Sequence, residues 1–282
     1  MRTKIVKAFG TESPENDLKQ LKIRRRSVMA KDVEIDILFC GVCHSDLHFA
    51  RNDWGFSQYP VVPGHEIVGR VTQVGADVSK YKEGELVAVG CLVDSCRECN
   101  NCKNDLEQYC PDFVGTYGGH DKHLDDHTFG GYSEHIVVDE EFVLKIPKNL
   151  DLAGVAPVLC AGITTWSPLR HWNVGKNSKV AVIGLGGLGH MAIKLADALG
   201  AHVTLLSRSQ NKIKDGLALG ADQVIISTDE RQMQSVMAEF DLIIDTVPYE
   251  HDLNPYINTL NTNGTLVIVG YLGPLDPMLH TV

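Results

Sequence analysis

Residues 179–200 read KVAVIGLGGLGHMAIKLADALG, and the order of residue types in this stretch decides the fold of the second half of the chain. Val180, Ala181, Val182 and Ile183 form an unbroken apolar run, as suits a strand buried on both faces. Gly184-Leu185-Gly186-Gly187-Leu188-Gly189 follows at once, and Met191, Ile193, Leu195, Ala196 and Leu199 then recur at helical spacing up to Gly200, a C-cap residue type. A G-x-G-x-x-G that follows a strand and opens a helix is a dinucleotide-binding fingerprint. Gly184 permits the tight turn, Gly186 lets the backbone approach a pyrophosphate, and Gly189 lets helix and strand close up. The helix start offers free N–H groups and the positive end of its dipole to the phosphates.

Downstream the alternation continues. Strands are expected at 202–206, 223–226, 241–245 and 265–269, with helices at 212–219, 231–240 and 253–260 between them. Such alternation builds a doubly wound parallel sheet, so the fold class is α/β. An NAD site carries an acidic residue about twenty positions after the first glycines, to bond the ribose 2′-hydroxyl. Here the second strand ends in Ser207, Arg208 and Ser209, followed by Lys212, with no carboxylate. Two hydroxyls and two cations suit a 2′-phosphate, which predicts NADP(H) rather than NAD(H).

Before residue 152 the pattern is of short strands, clearest at 3–8 and at 33–39, where VEIDILF alternates with period two. We therefore divide the chain into domains at 1–151 and 152–282. The polar stretch 11–26 reads as loop, with Arg24, Arg25 and Arg26 a solvated face. The Gly- and His-rich stretch 112–130 reads as a mobile surface loop.

The chain has 282 residues, 44% hydrophobic and 22% charged, with a formal net charge of −10. That charge argues against nucleic acid and anionic membranes as partners. No run of about eighteen apolar residues predicts a membrane span. MRTKIVKAFG at the start lacks a signal-peptide core, so a cytoplasmic location is expected. In that reducing setting eight cysteines point to metal rather than disulfides. Cys96, Cys99, Cys102 and Cys110 have the spacing of a closed tetrahedral zinc site, favoured over an iron–sulfur cluster. Cys40-Gly-Val-Cys43-His44-Ser45-Asp46-Leu47-His48 packs thiols, imidazoles, a hydroxyl and a carboxylate into nine residues, which metal chemistry or proton transfer explains better than structure does. Cys40 continues a strand and reads as a bystander. His65-Glu66, after Pro63-Gly64, is a second polar island at a strand start, and Cys160 is isolated among apolar residues.

Together GVCHSDLH, VPGHEIVG, the Cys96–Cys110 lobe, LCAGITTWSPL and GLGGLG resemble the zinc-dependent medium-chain alcohol dehydrogenases, in the cinnamyl-alcohol-dehydrogenase-like branch that uses NADP. The resemblance runs from near the N-terminus to the last residue. It implies a mostly-β GroES-like catalytic domain ahead of a Rossmann domain. It also implies two zinc ions per chain: a catalytic one held by Cys43, His65 and Cys160, with Glu66 as an alternate ligand, and a structural one at the four-cysteine lobe. Asp46 would orient His65. A proton would leave through Ser45, by way of the nicotinamide ribose, to His48. Thr164 joins Gly184–Gly189, Ser207, Arg208, Ser209 and Lys212 in the cofactor set. The implied reaction is hydride transfer between NADP(H) and a primary alcohol or aldehyde, aromatic or medium-chain, in a cleft between the domains with Trp54 and Leu92 as apolar wall.

Family members run several dozen residues further. A sixth sheet strand, a homodimer-pairing strand and a return to the catalytic domain would fall beyond Val282, where this chain stops. The alternative expectation is accordingly a C-terminally truncated, non-catalytic remnant that still binds NADPH and zinc.

Overall fold

The computed structural model describes residues 2–270. Residues 271–282, the tail of the expected nucleotide domain, lie outside the described residues. The chain separates into two compact units, Met1–Cys160 and Ala161–Val282.

The first unit is mostly β. Its strands are β1 (Thr3–Gly10), β2 (Lys19–Arg26), β3 (Asp32–Cys40), β4 (Ile67–Val74), β5 (Leu86–Val89), β6 (Leu92–Asp94), β7 (Val114–Gly115), β8 (His120–Asp121), β9 (Asp126–His127), β10 (His135–Asp139) and β11 (Leu144–Lys145). An antiparallel sheet of order β10-β3-β4-β5-β11 forms its centre. Val33, Ile35, Ile67, Val71, Val87, Val89, Ile136 and Val138 close its core. These are the β-branched residues that favour a pleated, half-buried surface.

Two sequence expectations fail here. The polar stretch 11–26 contains β2, paired with β1 from Thr3↔Arg26 to Gly10↔Lys19. Its period-two signal is hidden because one inward residue is charged: Ile23 and Arg25 point in. Arg25 is not solvated. Its guanidinium donates to the carbonyls of Phe129, Gly130 and His135 and to Ser133 Oγ. Burial, aided by Arg26, lowers its pKa to about 9. The same contacts tie down part of 112–130, where Thr116, Tyr117, His127 and Phe129 are buried rather than on a mobile loop.

The boundary also moves. Helix α1 (His44–Arg51) lies between β3 and β4, and α2 (Leu152–Val155) with the 3₁₀ turn Ala156–Leu159 still belongs to the first unit. Leu152, Val155, Ala156 and Leu159 pack on Val68 and Ala88 of β4 and β5. Apolar contact with the sheet thus places the division after Cys160 rather than after residue 151.

The second unit contains α3 (Ala161–His171), β12 (Lys179–Ile183), α4 (Gly187–Ala198), β13 (His202–Ser207), α5 (Ile213–Ala218), β14 (Gln223–Ile226), α6 (Glu230–Gln234), β15 (Phe240–Asp245), α7 (Asn254–Ile257) and β16 (Leu260–Ile268). The strands form a parallel sheet of order β14-β13-β12-β15-β16. Helices cover both faces, with Val180, Val182, Ile193 and Leu205 in one core and Ala181, Ile183, Met233 and Phe240 in the other. Helix α6 is shorter than the expected 231–240. Among the described residues no single helix is long and apolar enough to cross a membrane.

Gly189 sits where α4 meets the end of β12, and a Cβ there would lie 2.2 Å from the Gly184 carbonyl oxygen. Backbone cannot swing aside as a side chain can. Gly189→Ala is expected to cost about 1–3 kcal/mol, seen as a lower Tm in a thermal melt. Gly187→Ala, whose Cβ would meet open space, should melt like the wild type.

Candidate active site

Cys43 is the N-cap of α1, and Asp46 in its first turn accepts the Cys43 backbone N–H at 2.8 Å. Asp46 also accepts from Gly64 N–H at 2.9 Å and from the Tyr132 hydroxyl at 3.1 Å. One buried carboxylate therefore pins both the start of α1 and the turn that delivers His65 and Glu66 to β4. Cys160 arrives from the 3₁₀ turn packed on β4 and β5. The result joins residues far apart in sequence: ligand atoms of Cys43, His65, Glu66 and Cys160 all lie within 4.8 Å of one another. Cys43 Sγ is 3.8 Å from Cys160 Sγ.

The donors fit a metal. His65 Nδ1 is hydrogen-bonded to the Tyr117 hydroxyl at 3.1 Å, while its Nε2 is buried with no hydrogen-bond partner among the described residues. A buried ring nitrogen without a partner is costly unless something else uses its lone pair. The Cys43 thiol is pushed up to about 12, by its contact with Cys160 and by burial. Contact with Cys43 pulls Cys160 down, but Cys91 and burial outweigh it and the net shift is upward. Burial also raises Glu66. His65 is lowered by burial, yet Cys43 and Asp46 carry it up. Without a cation such thiols stay protonated; a bound cation would let both serve as thiolates side by side out of water.

Asp46 departs from its expected role. It lies 3.9 Å from His65 Nδ1, beyond hydrogen-bond reach, because that nitrogen is engaged by Tyr117. Tyr117 was missed because it lies in the stretch read as mobile loop. Ser45 and His48 share α1. Cys43 Sγ donates to Ser45 Oγ at 3.6 Å, and His48 Nδ1 meets Asp53 Oδ2 at 2.6 Å, leaving a buried Nε2 without a hydrogen-bond partner among the described residues. No hydrogen bond joins Ser45 to His48 among the described residues. Trp54 packs near Phe49, Val61 and Tyr117, with its ring 5.5 Å from that of His48, and half-buried Leu92 lies on β6.

The four sulfurs of Cys96, Cys99, Cys102 and Cys110 form the second cluster within 4.8 Å. Backbone N–H groups of Cys96, Cys99 and Cys102 donate to Cys110, Cys96 and Cys99 Sγ at 3.5, 3.3 and 3.5 Å. Backbone N–H groups of Glu98 and Cys99 draw the Cys96 thiol down to about 7. Cys40 stands outside both clusters, its thiol raised to about 12 by burial.

In the second unit Gly184 has φ +88° and Gly186 caps α4. Cβ atoms on Gly186 and Gly187 would meet nothing within 4 Å, so the turn leaves open space at the helix N-terminus, as a phosphate requires. Leu185 and Leu188 are half-buried beside it. Ser207, at the end of β13, accepts Ser209 N–H at 3.2 Å, and Ser209 Oγ donates to Asn211 Oδ1 at 2.6 Å. Exposed Arg208 and half-buried Lys212 form no ion pair among the described residues. Thr164 is half-buried on α3.

Residues 29–148 match the family described as alcohol dehydrogenase GroES-like domain, and residues 187–280 that described as zinc-binding dehydrogenase. The NADP-dependent alcohol dehydrogenase C 1 of Mycolicibacterium smegmatis is 53% identical over 275 residues, which cover 97% of this chain and 78% of the relative. The aldehyde reductase YahK of Escherichia coli is 50% identical over 266 residues, covering 94% and 76%. Among solved structures, a cinnamyl alcohol dehydrogenase from Sorghum bicolor superposes with a TM-score of 0.94 at 44% identity, over 98% of this chain and 79% of that one. CAD from Helicobacter pylori, complexed with NADP(H), superposes with a TM-score of 0.91 at 43% identity, over 96% and 77%. A GroES-like unit, a Rossmann-type unit and relatives at about half identity make the chain an oxidoreductase of the zinc-binding medium-chain alcohol dehydrogenase family, in its cinnamyl-alcohol-dehydrogenase-like branch.

Proposed function

We propose that the chain interconverts primary alcohols and aldehydes, aromatic or medium-chain, with NADP(H), and that it holds two zinc ions. The observation that carries this reading is the meeting of Cys43, His65, Glu66 and Cys160, with His65 Nε2 buried and without a hydrogen-bond partner among the described residues. When bound, zinc supplies Lewis-acid polarisation of a substrate oxygen, and NADP(H) gives or takes the hydride.

The chain's own residues do the rest. Cys43, Cys160 and His65 would hold the first ion, offering two sulfurs and a nitrogen, the donor set of a catalytic zinc site. Tyr117 fixes the His65 ring through Nδ1; with Nδ1–H donating to the hydroxyl, Nε2 would be the nitrogen offered to the ion. Glu66 is within reach as an alternate ligand. Ser45, against Cys43, and His48, oriented by Asp53, are the groups that pass a proton outward. Cys96, Cys99, Cys102 and Cys110 would hold the second ion, offering four sulfurs and so a structural rather than a catalytic role. Ser207, Arg208, Ser209 and Lys212 select the 2′-phosphate, while the turn Gly184–Gly189 takes the pyrophosphate and Thr164 completes the cofactor set. A reducing, cytoplasmic setting keeps the eight cysteines out of disulfides and so available to metal.

The test is an NADPH oxidation assay on benzylic, cinnamyl and medium-chain aldehydes, with zinc determined on the same preparation. Two zinc ions per chain, turnover abolished by a chelator, and NADPH used in preference to NADH are the expected results. One zinc per chain with no turnover would overturn the reading.

A further inference from the structure

The parallel sheet changes direction between β12 and β15: the chain leaves β12 for β13 on one side and later returns to β15 on the other. Ligands of such sheets bind beyond the strand C-terminal ends at this switch point. Asp245 ends β15 there and is fully buried. Nothing in the reading above uses it.

Its surroundings are specific. Asp245 Oδ1 accepts Val247 N–H at 3.1 Å. Asp245 Oδ2 lies 3.3 Å from His251 Nε2, an ion-pair distance, and neither atom makes a hydrogen bond among the described residues. His251 Nδ1 is 2.7 Å from the Tyr249 carbonyl oxygen. A carbonyl only accepts, so Nδ1 carries a proton. A proton on either Nε2 or Oδ2 makes this contact attractive, whereas a bare lone pair facing a buried carboxylate would be repulsive. Burial holds Asp245 above the usual carboxylate range, which favours a proton at this contact. The pair ties residues 246–251 back onto the end of β15.

The first residues of that segment brace the glycine turn. Thr246 Oγ1 donates to the Ile183 carbonyl at 2.7 Å. A Cβ on Gly184 would lie 3.1 Å from Val247 Cγ2 and 3.2 Å from Thr246 Oγ1, and one on Gly189 would lie 3.3 Å from Thr246 Oγ1. Thr246 and Val247 are thus the floor against which the turn is set.

We propose that Asp245 and His251 form a positioning pair for the dinucleotide: by folding residues 246–251 back onto β15, they hold Thr246 and Val247 against the Gly184–Gly189 turn and thereby set the affinity for NADP(H). This rests on the NADP(H) reading above and adds two residues to it that touch neither the glycine turn nor the 2′-phosphate set.

The experiment is an equilibrium fluorescence titration of the full chain with NADPH, run with thermal melts and zinc determinations. His251→Ala and Asp245→Ala should weaken NADPH binding by about tenfold or more, as an unpaired buried polar group costs. Where turnover is measured, the loss should fall in KM for NADPH rather than in kcat. Asp245→Asn is the conservative variant. Its amide donates to His251 Nε2 and its oxygen still accepts from Val247, so its Kd should stay within about threefold of wild type. A merely structural role would lower the melting temperature and leave Kd unmoved. His251 is in a partly exposed segment, so His251→Ala decides the matter even if Asp245→Ala does not fold. An unchanged Kd in a folded His251→Ala protein overturns the proposal, as does an Asp245→Asn protein as weak as Asp245→Ala. If the wild type itself binds no NADPH, the nucleotide reading is what has failed.

Discussion

Cys160→Ala should yield a folded protein that retains one zinc ion instead of two and reduces aldehydes about 10³-fold more slowly or worse, since Lewis-acid polarisation is worth several kcal/mol. The reason is local. Cys160 follows a 3₁₀ turn whose Ala156 and Leu159 are anchored on β4 and β5, so losing its sulfur does not unseat the backbone that carries it. What remains is Cys43 and His65, with Glu66 as the only further donor in the cluster. Cys43→Ala should behave alike. Cys40→Ala is the informative control, because Cys40 lies only three residues from Cys43 yet belongs to neither cluster. It should keep two zinc ions and near-wild-type turnover. Rates measured beside zinc content on the same preparations check all three. An active Cys160→Ala protein with two zinc ions would remove the basis for the proposed chemistry.

The uneven legibility of this chain has physical causes. In the second unit β12 to β15 are largely buried on both faces and read as apolar runs, so they stand within a residue or two of where the sequence puts them, whereas β16, exposed over Asn261–Asn263, begins five residues before its expected start. The glycine turn is a local device, complete within six residues. The four-cysteine lobe is local too. The Cys43–His65–Cys160 cluster is not local: spacing alone leaves Cys160 a core thiol, and only family resemblance joined it to the others before the fold brought the three within reach. Two features were hidden because a polar residue does structural work. Arg25 sits on the inner face of β2, where an arginine disguises the alternation, and it is tolerated because four acceptors surround it. Tyr117 lies between glycines and histidines that suggest an exposed loop, yet Arg25 and β7 to β9 hold that stretch in place. The Asp245–His251 contact was equally silent, being six residues apart in a segment with no motif.

The lobe holding the second zinc site should depend on its metal far more than the rest of the first unit does. Between residues 96 and 115 only Cys102 and Cys110 are buried, while Leu106, Tyr109 and Phe113 are exposed. There is no apolar core to hold these residues once the ion is gone. Their ties to the remainder are few: Arg97 bridges Asp94 and Asp139 and lies over the Phe142 ring. Structural zinc in small metal-organised domains contributes on the order of 10 kcal/mol, which is the scale of a whole domain's stability. Cys102→Ala should therefore lose the lobe ion and unfold residues 96–110 without dissolving the five-stranded sheet, whose core of Val33, Ile35, Ile67 and Val87 is separate. Zinc content should fall by one, and limited proteolysis should cut the lobe first, at a rate at least about tenfold above wild type, because local opening sets cleavage. Since the backbone N–H groups of Cys96, Cys99 and Cys102 already point at sulfur and favour the thiolates, returning zinc to chelator-stripped wild type should restore protease resistance, whereas the same addition to Cys102→Ala should not. Equal resistance in the metal-stripped and metal-loaded wild type would mean that the exposed lobe is held by something other than its ion.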